Sequence, residues 1–206
     1  MYTIIDLPGD SMDYDLLFEA ANSVKGVPGA ICEIGTRRGG SLKHIVDGLL
    51  SAGDNNRNVV CIDPYGNIDY ADNEQVKMKL DYTNDMRNET LPNIYMYLQG
   101  KPVNVVFMCM EDTEFFNRFG DGVPFYQEHK IMENEYALVF FDGPHDTPSL
   151  FKELEFFYSR SNPGTKFIFD DIAVYPHAKI EESLFANGFE LIRYGSQGRK
   201  ASYVKK

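Results

Sequence analysis

The stretch CEIGTRRGGS, residues 32–41, decides the fold, because it has the pattern of a short apolar strand, a glycine turn and the start of a helix. Leu42, Ile45, Val46 and Leu49 follow at the spacing of one helix face, which predicts an amphipathic helix. Glycines at a strand-to-helix turn let the backbone approach a ligand closely. The alternative is a plain tight turn without a ligand.

A second pair of stretches, VFFDGPH at residues 139–145 and FIFDD at residues 167–171, predicts two apolar strands that each end in a carboxylate. The segment between them has one apolar helix face. In an open parallel sheet, the loops at the carboxyl ends of the strands form the ligand crevice. We therefore expect Asp142, His145, Asp170 and Asp171 to converge beside the glycine turn.

Alternating strands and helices along the chain predict an α/β fold with a mostly parallel sheet. Residues 189–194 and 201–204 flank a Gly-Ser-Gln-Gly turn, which predicts an antiparallel C-terminal hairpin. We expect one domain over residues 1–206, with a helical lead-in at 1–28 and the α/β core at 29–206. Within it, residues 72–99 are predicted as mostly helical with a break at Leu91-Pro92, and residues 120–135 as irregular.

The composition limits the partners and the compartment. The chain of 206 residues is 43% hydrophobic and has a formal net charge of −11, which disfavours nucleic acid and anionic membrane surfaces. No signal peptide or apolar run of membrane-spanning length is visible in the sequence. Cys32, Cys61 and Cys109 are each predicted in buried strands, and this odd set indicates free thiols in a reducing cytoplasm.

Three residues after the predicted strands are candidates for binding an adenosine group. Asp63 ends the second strand, where a carboxylate can accept both ribose hydroxyls. Tyr65 is a candidate for stacking on adenine, and Asp112 for accepting its amino group. The alternatives are a turn residue before Pro64, a surface aromatic and a helix N-cap, respectively.

The carboxylates Asp142, Asp170 and Asp171 predict a divalent cation site. Neighbouring carboxylates at the end of a buried strand repel one another, and Mg²⁺ commonly takes a few carboxylates together with water and substrate oxygens. His145 would then be a general base, because the free imidazole titrates near neutrality. Helix capping and turns are the alternative roles for the aspartates, and a structural role is the alternative for the histidine.

The motifs over residues 30–171 resemble those of class I S-adenosylmethionine-dependent O-methyltransferases of the small, metal-dependent group. The similarity is nearest to macrocin-type sugar O-methyltransferases and cephalosporin-hydroxylase-like proteins. This resemblance implies a Rossmann-like methyltransferase sheet. It also implies that S-adenosylmethionine is held by the set Glu33, Gly35, Thr36, Gly39, Ser41, Asp63, Tyr65 and Asp112. Asp142, Asp170 and Asp171 would bind Mg²⁺ or another divalent cation, and His145 would be the base.

The expected function is metal-assisted O-methyl transfer to a small polyhydroxylated acceptor, whose identity the sequence does not specify. Two alternatives remain open at this point. One is a metal-dependent hydroxylase or hydrolase on the same fold, because a fold does not fix its chemistry. The other is a non-catalytic nucleotide-binding module in which the acidic pair only caps helices. The resemblance also implies a possible homodimer.

Overall fold

The computed structural model describes residues 7–66, 70–73, 76–78 and 82–206. Its helices are α1 (Tyr14–Ser23), α2 (Gly40–Ser51), α3 (Asn84–Leu98), α4 (Asp112–Arg118), α5 (Thr147–Tyr158) and α6 (His177–Ala186). Its strands are β1 (Ala30–Ile34), β2 (Arg57–Ile62), β3 (Tyr70–Asn73), β4 (Val76–Met78), β5 (Val103–Met108), β6 (Val123–Tyr126), β7 (Lys130–Glu133), β8 (Tyr136–Phe141), β9 (Ser161–Phe169), β10 (Phe189–Tyr194) and β11 (Ala201–Lys205).

Within the described ranges, the main sheet has seven strands in the order β10-β11-β9-β8-β1-β2-β5. The pairs β1–β2, β1–β8, β2–β5 and β8–β9 are parallel, whereas β11 is antiparallel to both β9 and β10. Every residue of β1 and β8 is buried, as expected for parallel strands that are covered on both faces. The predicted mostly parallel sheet with a C-terminal antiparallel hairpin is confirmed.

Helices cover both faces of this sheet. The apolar faces of α1, α2 and α3 pack on one side, where the fully buried residues include Leu17, Ile45 and Ile94. On the other side, α4, α5 and α6 pack with an aromatic-rich cluster that includes Phe115 and Phe157. No helix of the described part of the chain is long and apolar enough to cross a membrane.

In an open parallel sheet, the ligand crevice lies where the strand order reverses. Here β1 is followed along the chain by its neighbour β2 on one side, whereas its neighbour on the other side is β8, so the crevice lies between β1 and β8. Gly35 directly follows β1 at this point, with a φ of +89°. A Cβ atom at Gly35 would lie 1.9 Å from the carbonyl oxygen of Asp142, which follows β8. Only glycine fits a backbone approach this close, so the glycine turn and the first aspartate are adjacent.

Three sequence-based predictions were wrong in detail. Residues 70–73 and 76–78 form a short hairpin, whereas residues 74–75 and 79–81 of the predicted helical stretch lie outside the described residues. The helix α3 runs through Pro92 without a break, because Thr90 and Ile94 anchor it in the core on either side. Cys109 follows β5 and is exposed, so only Cys32 and Cys61 are buried.

The segment 120–135 also differs from the prediction, because it contains the β6–β7 hairpin. Val123 and Phe125 are buried, whereas Tyr126 is exposed. This alternation is the pattern of a strand with one buried face. Proline and charged residues around it had favoured an irregular loop.

The close approach at Gly35 predicts a large effect of substitution. The variant Gly35→Ala should lose about 1–2 kcal/mol of stability from the left-handed backbone, as any L-residue does there. Overlap with the Asp142 carbonyl should add about 1–3 kcal/mol. The matched control is Gly26→Ala, because Gly26 has a φ of +86° and its Cβ would meet nothing within 4 Å. Urea unfolding measures both, and equal losses in the two variants would contradict the steric argument.

Candidate functional site

The glycine turn after β1 is held in a left-handed conformation at three residues. Gly35, Arg37 and Gly39 have φ angles of +89°, +45° and +82°. Gly39 occupies the N-cap position of α2, and its N–H donates to the Thr36 carbonyl at 2.8 Å. The turn therefore brings backbone, rather than side chains, to the start of the helix, which is the arrangement that suits an anionic or nucleotide ligand.

Asp63, at the end of β2, ties the neighbouring strand to this turn. Its carboxylate accepts hydrogen bonds from the backbone N–H groups of Arg37 at 2.8 Å and Tyr65 at 3.0 Å. The Tyr65 hydroxyl donates to the Arg37 carbonyl at 2.7 Å, and Tyr65 is 1% exposed. Burial raises the pKa of Asp63 to about 6. The ribose and adenine contacts of Asp63 and Tyr65 stay predictions.

Glu33 connects β1 with α2 from beneath the turn. Its Oε1 accepts a hydrogen bond from the Ser41 hydroxyl at 2.5 Å, and Glu33, Thr36 and Ser41 are all buried. Burial raises the pKa of Glu33 to about 7. The motif residues thus form a hydrogen-bonded support under the backbone of the turn.

The predicted acidic cluster and histidine come together at the ends of β8 and β9. The Nε2 atom of His145 lies 3.6 Å from Oδ2 of Asp171 and 3.8 Å from Oδ1 of Asp142. These residues border a cavity of about 150 Å³. The lining of the cavity is Asp10, Ser11, Gly35, Arg37, Tyr82, Asp142, His145, Asp170, Asp171 and Arg199.

Of the residues predicted for function, Gly35, His145 and the three aspartates line this cavity directly. Asp112 lies outside its lining set. Asp112 is the first residue of α4, the N-cap position is occupied by Glu111, and Oδ1 of Asp112 accepts the Thr113 N–H at 2.7 Å. The adenine contact of Asp112 stays a prediction.

The carboxylates strongly influence one another. Burial and the neighbouring Asp170 carboxylate raise the pKa of Asp142 well above its ordinary value. The same two causes raise the pKa of Asp171. A cluster of this kind needs compensating protons or cations, because isolated carboxylates are costly to desolvate.

Two cations that the sequence reasoning missed provide part of this compensation. The Lys200 ammonium lies 2.7 Å from Oδ2 of Asp170, and the Arg199 guanidinium pairs with Asp171. The antiparallel register of β11 and β9 pairs Ala201 with Phe169, so the residues just before β11 meet those just after β9. The sequence signal for this contact was the combination of an Arg-Lys pair just before β11 and an Asp-Asp pair just after the neighbouring strand β9.

The segment before α1 forms another wall that the sequence reasoning missed. Asp10 pairs with Arg37 at 2.5 Å, and the Ser11 hydroxyl donates to Oδ1 of Asp170 at 3.1 Å. Short polar residues in a lead-in carry no pattern that would distinguish them from a solvated loop.

The predicted divalent cation does not fit this donor set. Among the described residues, no group of three His, Cys, Asp or Glu side chains is arranged to hold a metal ion. Two of the three carboxylates already have cationic partners, because Asp170 accepts hydrogen bonds from Lys200 and Ser11, and Asp171 pairs with Arg199. The metal assignment of Asp142, Asp170 and Asp171 therefore stays a prediction without support from the geometry.

Comparison with known proteins agrees with this architecture. A family model described as "Methyltransferase domain" matches residues 32–172, so the chain belongs to this methyltransferase family. No curated protein matches the chain by sequence. The match spans both the glycine turn and the acidic cluster, and it confirms the family resemblance of the sequence motifs.

Several solved methyltransferase structures share the fold. The O-methyltransferase NovP is 20% identical with a TM-score of 0.61, over 94% of this chain and 79% of that chain. An O-methyltransferase from Bacillus cereus in complex with SAH is 17% identical with a TM-score of 0.61, over 97% and 84% of the two chains. TomG from Streptomyces achromogenes, in complex with SAM, is 14% identical with a TM-score of 0.61, over 98% and 83%.

The buried Glu33 predicts a pH dependence of stability. Between its ordinary pKa of 4.5 and its folded pKa of about 7, Glu33 keeps a proton that the unfolded chain loses. Rising pH therefore favours unfolding across this window, by up to about 3 kcal/mol at about 1.4 kcal/mol per pKa unit. In Glu33→Gln this contribution should be absent, so the variant should gain stability over the wild type as pH rises through the window.

Urea unfolding of both proteins from pH 4.5 to pH 8 isolates the Glu33 contribution as a difference. The other groups around Glu33 are Ser41, Thr36, Cys61 and Asp63, and they remain the same in the variant. Parallel stability curves for the two proteins would mean that the Glu33 carboxylate is ionised in the fold, against this account.

Proposed function

We propose that this protein transfers a methyl group from S-adenosylmethionine to a hydroxyl oxygen of a small polyhydroxylated acceptor. The observation that carries the proposal is the shared cavity, in which Gly35 of the glycine turn lies beside Asp142 and His145. Membership of the methyltransferase family supports the reaction type. The SAM and SAH complexes of structurally similar O-methyltransferases support the choice of methyl donor and of oxygen as acceptor atom.

The residues around the turn fit an adenosine-type methyl donor. The turn offers backbone in left-handed conformations, with buried carboxylates at Glu33 and Asp63 behind it. When bound, S-adenosylmethionine supplies an electrophilic methyl carbon on a sulfonium sulfur. The residues that would hold it are Glu33, Gly35, Thr36, Gly39, Ser41, Asp63, Tyr65 and Asp112.

The cavity favours a small polar acceptor. Its volume is about 150 Å³, which suits a small molecule better than a macromolecule. Carboxylates and guanidinium groups line it together, so acceptor hydroxyls would find both hydrogen-bond acceptors and donors there. A polyhydroxylated molecule satisfies such a lining, whereas an apolar one would leave charges unpaired.

His145 is the group that would remove the acceptor proton. Its imidazole lies between Asp142 and Asp171, which would stabilise the imidazolium that forms. The acceptor oxygen would then attack the methyl carbon, and the bond from that carbon to sulfur would break. The chain contributes orientation of the two reactants and charge around them. The metal-assisted form of this reaction, expected from the sequence, would have to share Asp170 and Asp171 with Lys200 and Arg199, so the proposed reaction relies on His145 to activate the hydroxyl.

Isothermal titration with S-adenosylmethionine and S-adenosylhomocysteine tests the methyl donor directly. We expect saturable binding of both with a dissociation constant in the micromolar range, where many enzyme cofactors and substrates bind. The turn variant Gly35→Ala, if folded, should bind more weakly, because the added Cβ moves the backbone against which the ligand would lie. Absence of heat and of any thermal shift with either ligand at millimolar concentration would refute the proposal.

Replacement of His145 tests the proton acceptor. In His145→Ala, kcat should fall by about 10²–10⁴-fold, the usual contribution of a positioned general base. Binding of S-adenosylmethionine should persist, since the imidazole faces the acidic side of the cavity. His129→Ala is the matched control, because His129 is exposed on the β6–β7 hairpin and should leave turnover unchanged. Wild-type turnover in His145→Ala, with any acceptor that the protein methylates, would exclude the base role.

A further inference from the structure

Lys200 is a lysine with no exposure to solvent, placed directly beneath the acidic cluster. Its ammonium donates to Oδ2 of Asp170 at 2.7 Å and to the Ser11 hydroxyl at 2.6 Å. The same nitrogen lies 5.0 Å from the ring centre of Tyr14 and 5.4 Å from that of Phe140. A buried lysine needs a negative charge at a fixed position, and Asp170 provides it. Together with the hydroxyl and the two rings, this carboxylate forms a site that holds the ammonium group.

The hydrogen bonds around Asp170 involve both oxygens of its carboxylate. Oδ1 accepts from the Ser11 hydroxyl at 3.1 Å and from the Asp171 backbone N–H at 2.8 Å, while Oδ2 accepts from Lys200. A divalent ion at Asp170 would compete with these three donors for the lone pairs of the carboxylate. It would also lie within a few ångströms of an ammonium group, in a setting where like charges are poorly screened.

The turn that carries Lys200 is fixed by Asp13. The Asp13 carboxylate accepts the backbone N–H groups of Gln197 at 2.8 Å and Arg199 at 3.0 Å. A Cβ at Gly195 would lie 2.1 Å from Oδ2 of Asp13, so the turn closes tightly over this side chain. The position of Lys200 is therefore set by the backbone of the fold and not by a freely rotating surface side chain.

We propose that the Lys200 ammonium is the resident cation of the acidic cluster and takes the place of the divalent metal ion that three such carboxylates would otherwise bind. Lys200 acts as a positioning residue, because it holds the Asp170 carboxylate from below while the cavity lies on the other side. In the methyl-transfer reaction proposed above, the acceptor proton then goes to His145 without metal coordination of the acceptor oxygen.

The inference is tested by titration with Mn²⁺ alone, followed by electron paramagnetic resonance, which reports free Mn²⁺ and needs no methyl-transfer activity. We expect the wild-type protein to show no stoichiometric binding at micromolar Mn²⁺. In Lys200→Met, which keeps an unbranched side chain one atom shorter and removes its charge, the cluster should bind Mn²⁺ at least about tenfold more tightly than in the wild type, because a like charge has been removed from the site.

Two controls separate this site from general attraction to an acidic protein. Lys206→Met makes the same charge change at an exposed lysine that pairs with Glu190, and it should behave as the wild type. Adding Asp142→Asn to Lys200→Met should abolish the gained binding. A gain that survives in this double variant would place the Mn²⁺ elsewhere and overturn the proposal.

The Mn²⁺ titration of the wild-type protein tests the proposal even if the Lys200→Met variant does not fold. One tightly bound Mn²⁺ per wild-type chain, at micromolar concentration, would overturn the proposal. A folded Lys200→Met variant that binds Mn²⁺ no better than the wild type would also overturn it. Failure to bind S-adenosylmethionine would refute the methyl-transfer function and leave the Mn²⁺ result unaffected, so the two failures are distinguishable.

Discussion

The repulsion among three aspartates at the ends of β8 and β9 is the constraint around which the site is arranged. Asp142, Asp170 and Asp171 lie close enough to raise the pKa of two of them. Cations and hydrogen-bond donors from distant parts of the chain compensate this negative charge. Lys200 lies beneath the cluster and Arg199 lies at its rim. The geometry of the cleft therefore depends on the compensation of the aspartate charges as well as on the arrangement of the strand ends.

The same compensation explains why the lead-in and the C-terminal hairpin meet at the site. Ser11 bridges Lys200 and Asp170, while Asp13 holds the turn before β11 through backbone hydrogen bonds. On the other wall, Asp63 and Glu33 tie the glycine turn to β2 and α2. Each wall has one buried carboxylate that accepts backbone N–H groups, Asp63 on one side and Asp13 on the other.

Much of the fold was predictable, because its signals are local. The glycine turn, the apolar helix face after it and the strands that end in aspartate all have short-range patterns, and the structure assembles them as expected. The β6–β7 hairpin and the unbroken α3 were missed, since tertiary packing of Phe125 and Ile94 outweighs the local effect of proline. Lys200 and Ser11 were missed for a different reason: their roles arise from contacts between residues far apart in sequence. The Arg-Lys pair before β11 becomes informative only once the register of β11 with β9 is known.

The contact between Asp13 and the turn around Gln197 spans 184 residues, and this separation bears on the order in which the chain folds. Contacts of such sequence separation form late, because a long loop must close before they repay the lost chain entropy. During synthesis, the central strands β1, β2 and β8 emerge well before Arg199 and Lys200. We therefore expect the acidic crevice to gain its compensating cations only when the last hairpin docks on β9.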